Sequence, residues 1–466
     1  MSELVACVDF GSTFTKAALV DAGTGELLAT ANHPTTIDTD VLDGWDACLT
    51  ELSRVDARAA GAEVLACSSA GGGLRIAVIG NEELVTAEAG RRIALSSGGK
   101  VVHVGHDGLT DTSFDALRES RPDVVLLVGG TDGGNAEVLE HNADHLARRR
   151  WRGPVVVAGN ADSRDAVAVR LDAAGTPYVL ADNVVPRIGV LAPASARAAI
   201  REMFLAHVIG GKHLSNRADF TAMVRGATPD VVLTAVELLA GGLDAERPGA
   251  GDVVVVDVGG ATTDVHSVVE LDPEDAGLGR EVVATVPVSR TVEGDLGMRW
   301  SAVSTVEEGL ATDVIEDGDR LRRAAEVRRD EPAFLPTDEV ERADDEVIAS
   351  AAVGVALRRH AGRSQVAFGP DGRVVERSGK DLREVDLLVG SGGVLRNNPP
   401  AVAARVLGSV TGEVSGGWQL PRAPRVVVDH DYVLAAAGLL AVSHPATAYA
   451  LLGRLRVAAA GVGDGT

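Results

Sequence analysis

Eight residues near the start of the chain, Asp9-Phe10-Gly11-Ser12-Thr13-Phe14-Thr15-Lys16, carry the chemistry to hold a polyphosphate. A hairpin turning through Gly11, Ser12 and Thr13 lets backbone N–H groups approach phosphate oxygens with no bulky side chain in the way. Asp9, at the strand end, can hold a hydrated Mg2+, and Lys16 can neutralise the terminal phosphates. An ordinary hairpin with a capping aspartate would read the same way. The pattern returns at Asp257-Val258-Gly259-Gly260-Ala261-Thr262-Thr263-Asp264, with a second acid (Asp257), a second turn (Gly259, Gly260) and two hydroxyls (Thr262, Thr263). Two such loops can grip a polyphosphate and its metal from opposite sides of a cleft, with Asp9 and Asp257 as metal-binding carboxylates.

A third segment, Val389-Gly390-Ser391-Gly392-Gly393-Val394-Leu395-Arg396, reads as a strand feeding a glycine-rich turn. Gly390, Gly392 and Gly393 would give a flat backbone surface for an adenine, and Arg396 could stack on the base or brace it. Its alternative is a tight connection between strand and helix. Glu237 and Asp264 are the carboxylates available as a general base. Leu127–Asn135 could be a nucleotide-binding turn at a strand's carboxyl end or simply a connection. Gly98-Gly99-Lys100 and Gly210-Gly211-Lys212 lack the hydroxyl and the spaced first glycine of a P-loop. His103 and His106 have no further ligand spaced nearby for a metal.

These loops need strands to hold them. Leu4–Asp9, Thr15–Asp21 and Glu26–Asn32 read as a meander, followed by an amphipathic stretch near 41–58. Laying the two loop segments together matches Asp9 with Asp257, Gly11 with Gly259 and Thr15 with Thr263, which marks a duplicated domain. Between the copies, Val64–Ser68, Val101–Val104, Val124–Val128, Val155–Ala158 and Tyr178–Ala181 alternate with helical stretches such as Glu82–Leu95. That alternation predicts a parallel, doubly wound α/β layer. The expected organisation is a first half at 1–60 and 191–250, an inserted α/β domain at 61–190, a second half at 251–445 and a tail at 446–466. Thr234–Leu243 and Tyr432–Val442, rich in small residues and including Gly438, read as paired hinge helices.

The chain has 466 residues and a formal net charge of −23, which argues against binding nucleic acid or anionic membrane through its whole surface. No apolar run reaches the roughly 18 residues of a membrane span, and the first residues lack the pattern of a secretory signal. The chain reads as cytoplasmic, and a homodimer is compatible with it. Its three cysteines, Cys7, Cys48 and Cys67, read as buried reduced thiols.

Phosphate loop, hinge helix, second phosphate loop, adenosine loop and second hinge helix, in that order, resemble the actin, sugar-kinase and heat-shock-chaperone ATPase superfamily. That resemblance implies two ribonuclease-H-like halves closing on Mg-ATP. Four further segments are similar to the glutamate-mutase-associated MutL family, which is unrelated to the mismatch-repair protein of that name. They are Cys67-Ser68-Ser69-Ala70-Gly71-Gly72-Gly73-Leu74-Arg75, Leu84-Val85-Thr86-Ala87-Glu88-Ala89, Leu127–Asn135 and Val157-Ala158-Gly159-Asn160-Ala161-Asp162. The resemblance implies an ATP-dependent reactivator or chaperone of an adenosylcobalamin-dependent mutase. The Asp-x-His-x-x-Gly motif of many cobalamin-binding mutase domains is absent, so the chain does not read as the mutase itself. A small-molecule kinase, or a nucleotide-gated scaffold without turnover, would use the same framework.

Overall fold

A computed structural model describes residues 3–270, 286–316, 318–369, 372–413 and 416–457. The last part of the expected tail, 458–466, lies outside them.

The meander is β1 (Leu4–Phe10), β2 (Phe14–Asp21) and β3 (Leu27–Pro34), backed by helix α1 (Val41–Val55). Every residue of β1 is buried, as the central strand of a sheet covered on both faces must be. Strand β4 (Glu63–Ser68) runs parallel to β1 in register, Asp9 beside Cys67. It therefore belongs to the first half's sheet, and the inserted layer starts later than residue 61.

That layer opens on β5 (Leu74–Ile79), followed by α2 (Glu88–Ser96), β6 (Gly99–Gly105), α3 (Asp111–Glu119), β7 (Val124–Leu127), α4 (Glu137–Arg148), β8 (Val155–Val157), α5 (Arg164–Ala174) and β9 (Tyr178–Leu180). Its strands are all parallel in the order β6-β5-β7-β8-β9, a doubly wound sheet whose order reverses at β5. The chain then returns to the first half through β10 (Val224–Ala227), parallel to β4. The first sheet thus reads β3-β2-β1-β4-β10.

Helix α6 (Thr228–Gly241) leads into β11 (Val253–Val258), β12 (Thr263–Val268) and β13 (Val288–Glu293). After α7 (Gly318–Asp330) and α8 (Glu339–His360) come β14 (Leu387–Ser391), β15 (Arg425–Val428) and α9 (Val433–Ser443). A two-stranded antiparallel hairpin joins Arg363–Gly369 and Gly372–Ser378. The second sheet reads β13-β12-β11-β14-β15, antiparallel through the meander and parallel on the other side of β11. Both sheets therefore have one topology, the ribonuclease-H-like one: three antiparallel strands, then two strands parallel to the first. The fold is a duplicated ribonuclease-H-like α/β protein carrying an inserted doubly wound domain.

The chain divides into two compact units. Of the described residues, the first holds those up to Ala235 and Ala435–Leu451, including the inserted domain; the second holds 236–270, Pro287–Leu434 and 452–457. The divisions fall inside α6 and α9, the two expected hinge helices. These helices touch closely within the first unit: a Cβ on Gly438 would lie 2.0 Å from the Val231 carbonyl oxygen.

Candidate functional site

The two hairpins have the same pairing register, residue for residue. Asp9 pairs with Lys16 and Phe10 with Thr15 in one; Asp257 pairs with Asp264 and Val258 with Thr263 in the other. Each turn closes with the same bond: Gly11 N–H donates to Phe14 O at 3.1 Å, and Gly259 N–H donates to Thr262 O at 2.9 Å. A Cβ at Gly11 would lie 2.6 Å from Phe14 O, so this turn admits no larger residue without moving.

The carbonyl groups of both turns are engaged inside their own units. Thr35 N–H donates to Thr13 O at 2.9 Å and its hydroxyl to Gly11 O at 2.8 Å. In the second turn Met298 N–H donates to Gly259 O at 3.0 Å, Arg299 N–H to Gly260 O at 2.8 Å, and the Ser301 hydroxyl to Ala261 O at 2.6 Å. Ser12 and Thr13 are exposed. Each turn is thus anchored by its acceptors and presents N–H-bearing backbone at its tip, the polarity an anion requires.

Asp9 is buried. Its Oδ1 accepts the Thr228 hydroxyl at 2.6 Å, and the Cys67 thiol lies 3.6 Å away, while its Oδ2 points toward the turn, 3.9 Å from where a Gly11 Cβ would sit. Asp257 is half-buried at the matching position. Among the described residues, no group of three or more His, Cys, Asp or Glu is arranged to hold a metal ion. A cation at either aspartate would need phosphate oxygens and water for its remaining ligands, which is the habit of Mg2+.

Asp264 differs from its counterpart Lys16. Its Oδ1 takes Arg290 Nε at 2.8 Å, and its Oδ2 lies 3.4 Å from the Thr262 hydroxyl. Thr263 is buried, its hydroxyl donating to Leu296 O at 3.0 Å, so it is a structural group and not a phosphate ligand. Glu237 lies half-buried on α6.

In the third segment the glycines divide. Gly392 has φ +96°, and a Cβ there would meet Val258 O at 2.2 Å; Gly390 would press on Leu407 at 2.7 Å. Both are required by packing. Gly393 alone faces open space, its nearest neighbour the Asn397 side chain at 3.8 Å. Arg396 is held by the His430 carbonyl at 2.9 Å and lies over the Tyr432 ring at 4.8 Å. Asp429 is buried and caps α9, accepting from Val433 and Leu434 N–H at 2.8 and 3.1 Å; burial holds its carboxyl above the ordinary range.

The Leu127–Asn135 turn is consumed by its own fold. The Asn160 and Asn183 side chains donate to Gly134 O and Gly130 O at 3.2 and 3.0 Å, and a Cβ on Gly130 would meet Asn135 O at 2.0 Å. Two of its carbonyls are thus held within the inserted domain, while Asp132–Asn135 stay exposed. Lys212 ties Asp123 and Gly71 O together at 3.2 and 3.3 Å. The three cysteines are free and buried, and burial pushes the Cys48 thiol up to about 11.

The sequence reading missed Thr228, Arg290, Arg299 and Trp300. Thr228-Pro229-Asp230 carries the hydroxyl and proline of a helix start, which could have flagged the first. The others come to the second loop from β13 and the segment after it, and no local pattern announces them. Trp300 is half exposed, and its ring would lie 2.9 Å from a Cβ on Gly260.

The MutL protein family matches residues 5–455. A protein named MutL from Clostridium tetanomorphum is 37% identical over 450 residues, covering 94% of this chain and 96% of that one. The chain belongs to the MutL family. Among solved structures, an activator of 2-hydroxyisocaproyl-CoA dehydratase from Clostridium difficile with bound ADPNP is 10% identical, covering 96% of each chain at a TM-score of 0.32. A xylulose kinase from Bifidobacterium adolescentis is 13% identical, covering 97% of this chain and 93% of that one at 0.30. Likenesses this weak carry no argument; family membership rests on the sequence match, and the fold on strand order. No helix among the described residues is long and apolar enough to cross a membrane.

Proposed function

We propose that this MutL-family chain is an Mg-ATP-binding accessory protein that reactivates an adenosylcobalamin-dependent mutase of the glutamate-mutase kind. The observation that carries the nucleotide reading is the pair of hairpins, alike in register, closing bond and the aspartate before each turn. On this reading the amides of Ser12, Thr13, Gly260 and Thr262 receive phosphate oxygens, while Gly11 and Gly259, whose own N–H groups close the turns, let the phosphate approach without a side chain in the way. Lys16 neutralises the terminal phosphates, Asp9 and Asp257 hold magnesium through water, and the open face of Gly393 with Arg396 receives the adenine. Bound magnesium supplies charge neutralisation on the phosphate oxygens. Asp264, engaged by Arg290, is poorly placed to take a proton from a substrate hydroxyl, which weighs against a kinase. The mutase partner follows from family membership and from the resemblance that the family motifs carry.

The nucleotide test uses Trp300 as its own reporter. Mg-ATP titrated into the protein should change its tryptophan fluorescence saturably; Trp300→Phe should lose the change and keep the calorimetric affinity. The functional test inactivates the mutase by turnover, then adds this chain, Mg-ATP and fresh adenosylcobalamin. Activity should return with wild-type protein and not with Asp257→Asn. Equal recovery without ATP would leave the hairpins no part in reactivation.

A further inference from the structure

The fold treats the two carboxylate oxygens of Asp9 differently. Oδ1 faces inward: it accepts the Thr228 hydroxyl at 2.6 Å and the Cys67 thiol at 3.6 Å, and all three residues are buried. Oδ2 lies on the side of the turn, 3.9 Å from where a Gly11 Cβ would sit. A carboxylate turns about its Cβ–Cγ bond with little torsional preference, so its orientation comes from its partners. Two donors on one oxygen hold that rotation and aim the other oxygen at the turn.

Thr228 reaches Asp9 from far along the chain, and its place is fixed from both sides. Before it, β10 runs parallel to β4 with Ala227 beside Ser68, and β4 sets Cys67 beside Asp9. After it, Pro229 brings the fixed φ that suits the first turn of α6. Asp230, 2% exposed, accepts Arg201 Nε at 2.6 Å. A Cβ on Gly98 would lie 2.8 Å from the Asp230 backbone nitrogen, so the turn between α2 and β6 packs directly on this helix start. Strand, proline and ion pair hold the hydroxyl beside Asp9 before any ligand arrives.

We propose that Thr228 is a positioning residue for the metal: its hydroxyl, bonded to Oδ1, fixes Asp9 so that Oδ2 meets the water shell of the magnesium on a bound triphosphate. The proposal rests on the Mg-ATP reading above and adds the group that sets its metal dependence. A hydroxyl that only satisfied a buried acid would affect stability, and nucleotide with or without metal alike. A hydroxyl that aims the acid acts on the metal. Groups that orient a metal-binding side chain typically change metal affinity by about 10–100-fold.

The test compares, by calorimetry, the affinity for ATP with Mg2+ and for ATP in excess EDTA. Mn2+ then takes the place of Mg2+, and electron paramagnetic resonance reads the surroundings of the bound ion. Thr228→Val keeps the shape of the side chain and removes the donor. It should weaken Mg-ATP at least about tenfold, leave ATP in EDTA as in the wild type, and move the bound Mn2+ spectrum toward that of Mn-ATP in solution. Thr228→Ser should restore the affinity and the spectrum; Thr228→Ala carries the same comparison with serine if valine does not fold. Cys67→Ala should cost less than Thr228→Val, because a thiol is the weaker donor; a larger loss would give the role to the thiol and overturn the proposal. Asp9→Asn should lose the advantage of Mg2+. If it does while Thr228→Val keeps wild-type Mg-ATP affinity, the positioning role is overturned and the nucleotide reading stands. Equal weakening of ATP with and without metal in Thr228→Val makes the residue a purely structural group and overturns the role as well. Wild-type metal dependence in Asp9→Asn overturns both.

Discussion

The two hairpins share one backbone and opposite electrostatics. Across from Asp9 stands Lys16; across from Asp257 stands Asp264. Further along the second strand of each meander, Ala18 and Leu19 in the first half occupy the positions of His266 and Ser267 in the second. The first half fills those positions with apolar packing. The second builds a polar seam: Arg290 on Asp264, and His360 joined to Thr291 at 3.0 Å and Ser267 at 2.8 Å. Duplication preserved the hydrogen bonds that make the turn and left the residues behind it to diverge. A residue at one register position can thus be functional in one half and structural in the other.

The largest effect separates those roles. Asp264→Ala removes the carboxylate that accepts from the buried Arg290 at 2.8 Å. Losing these charge-assisted bonds costs about 1.5–3 kcal/mol, so thermal unfolding of the second unit should begin several degrees lower. Lys16→Ala at the matching position should leave the melting temperature within about a degree. A large stability loss from Lys16→Ala, or none from Asp264→Ala, breaks the comparison.

Acid should find the same asymmetry. His266 and His360 are fully buried, and burial holds both well below the ordinary histidine range. Below the unfolded-state value of about 6.5, the unfolded chain takes up protons that the folded core refuses. The seam's stability is therefore complete above that pH and falls beneath it by about 1.4 kcal/mol per pH unit for each histidine, until the folded values are reached. Calorimetry between pH 7.5 and 5 should show the second unit's transition moving down in temperature. His266→Ala with Ser267→Leu, the first half's residues, should flatten the dependence in that strand.

On affinity, Lys16→Ala should reverse its neutral record. Loss of a charge-assisted phosphate contact is worth about 1.5–3 kcal/mol, a ten- to hundredfold weaker Mg-ATP affinity, with Trp300 fluorescence still responding at saturation. Unchanged affinity would remove Lys16 from the site.

Much of this was legible in the chain. Asp9 and Asp257 could be matched because an apolar strand ending in an acid and a glycine turn is a local pattern, and the duplicated halves followed from it. The inserted layer was legible as alternation but not in its boundaries. Val64–Ser68 looked like the first inserted strand because its partner, β1, is distant in sequence. Leu74–Ile79, the strand at which the inserted sheet's order reverses, was hidden behind a glycine-rich motif that drew attention to its turn. Val224–Ala227 is four residues long, includes a glycine, and sits between helices; only its pairing with β4 makes it a strand. Glycines in the third segment were over-read for a general reason: a glycine that lets a ligand approach and a glycine that lets a neighbouring strand approach have the same letter.

That ambiguity can be resolved by substitution at two adjacent glycines. Gly392 lies at φ +96° with Val258 O where its Cβ would be, so Gly392→Ala should destabilise the second unit by about 2–3 kcal/mol or more whether or not nucleotide is present. Gly393 opens the short helix Gly393–Arg396 and has no atom closer than 3.8 Å to an added Cβ. Alanine there reduces the freedom of the unfolded chain and should leave stability unchanged or higher by about 0.5 kcal/mol. If the open face of Gly393 receives an adenine, the added methyl would stand between base and backbone. Gly393→Ala should then weaken Mg-ATP severalfold while leaving binding of Mg-triphosphate, which has no base, as it was. Equal affinity for Mg-ATP before and after the substitution would show that this turn serves only to join a strand to a helix, and the adenine would have to lie elsewhere.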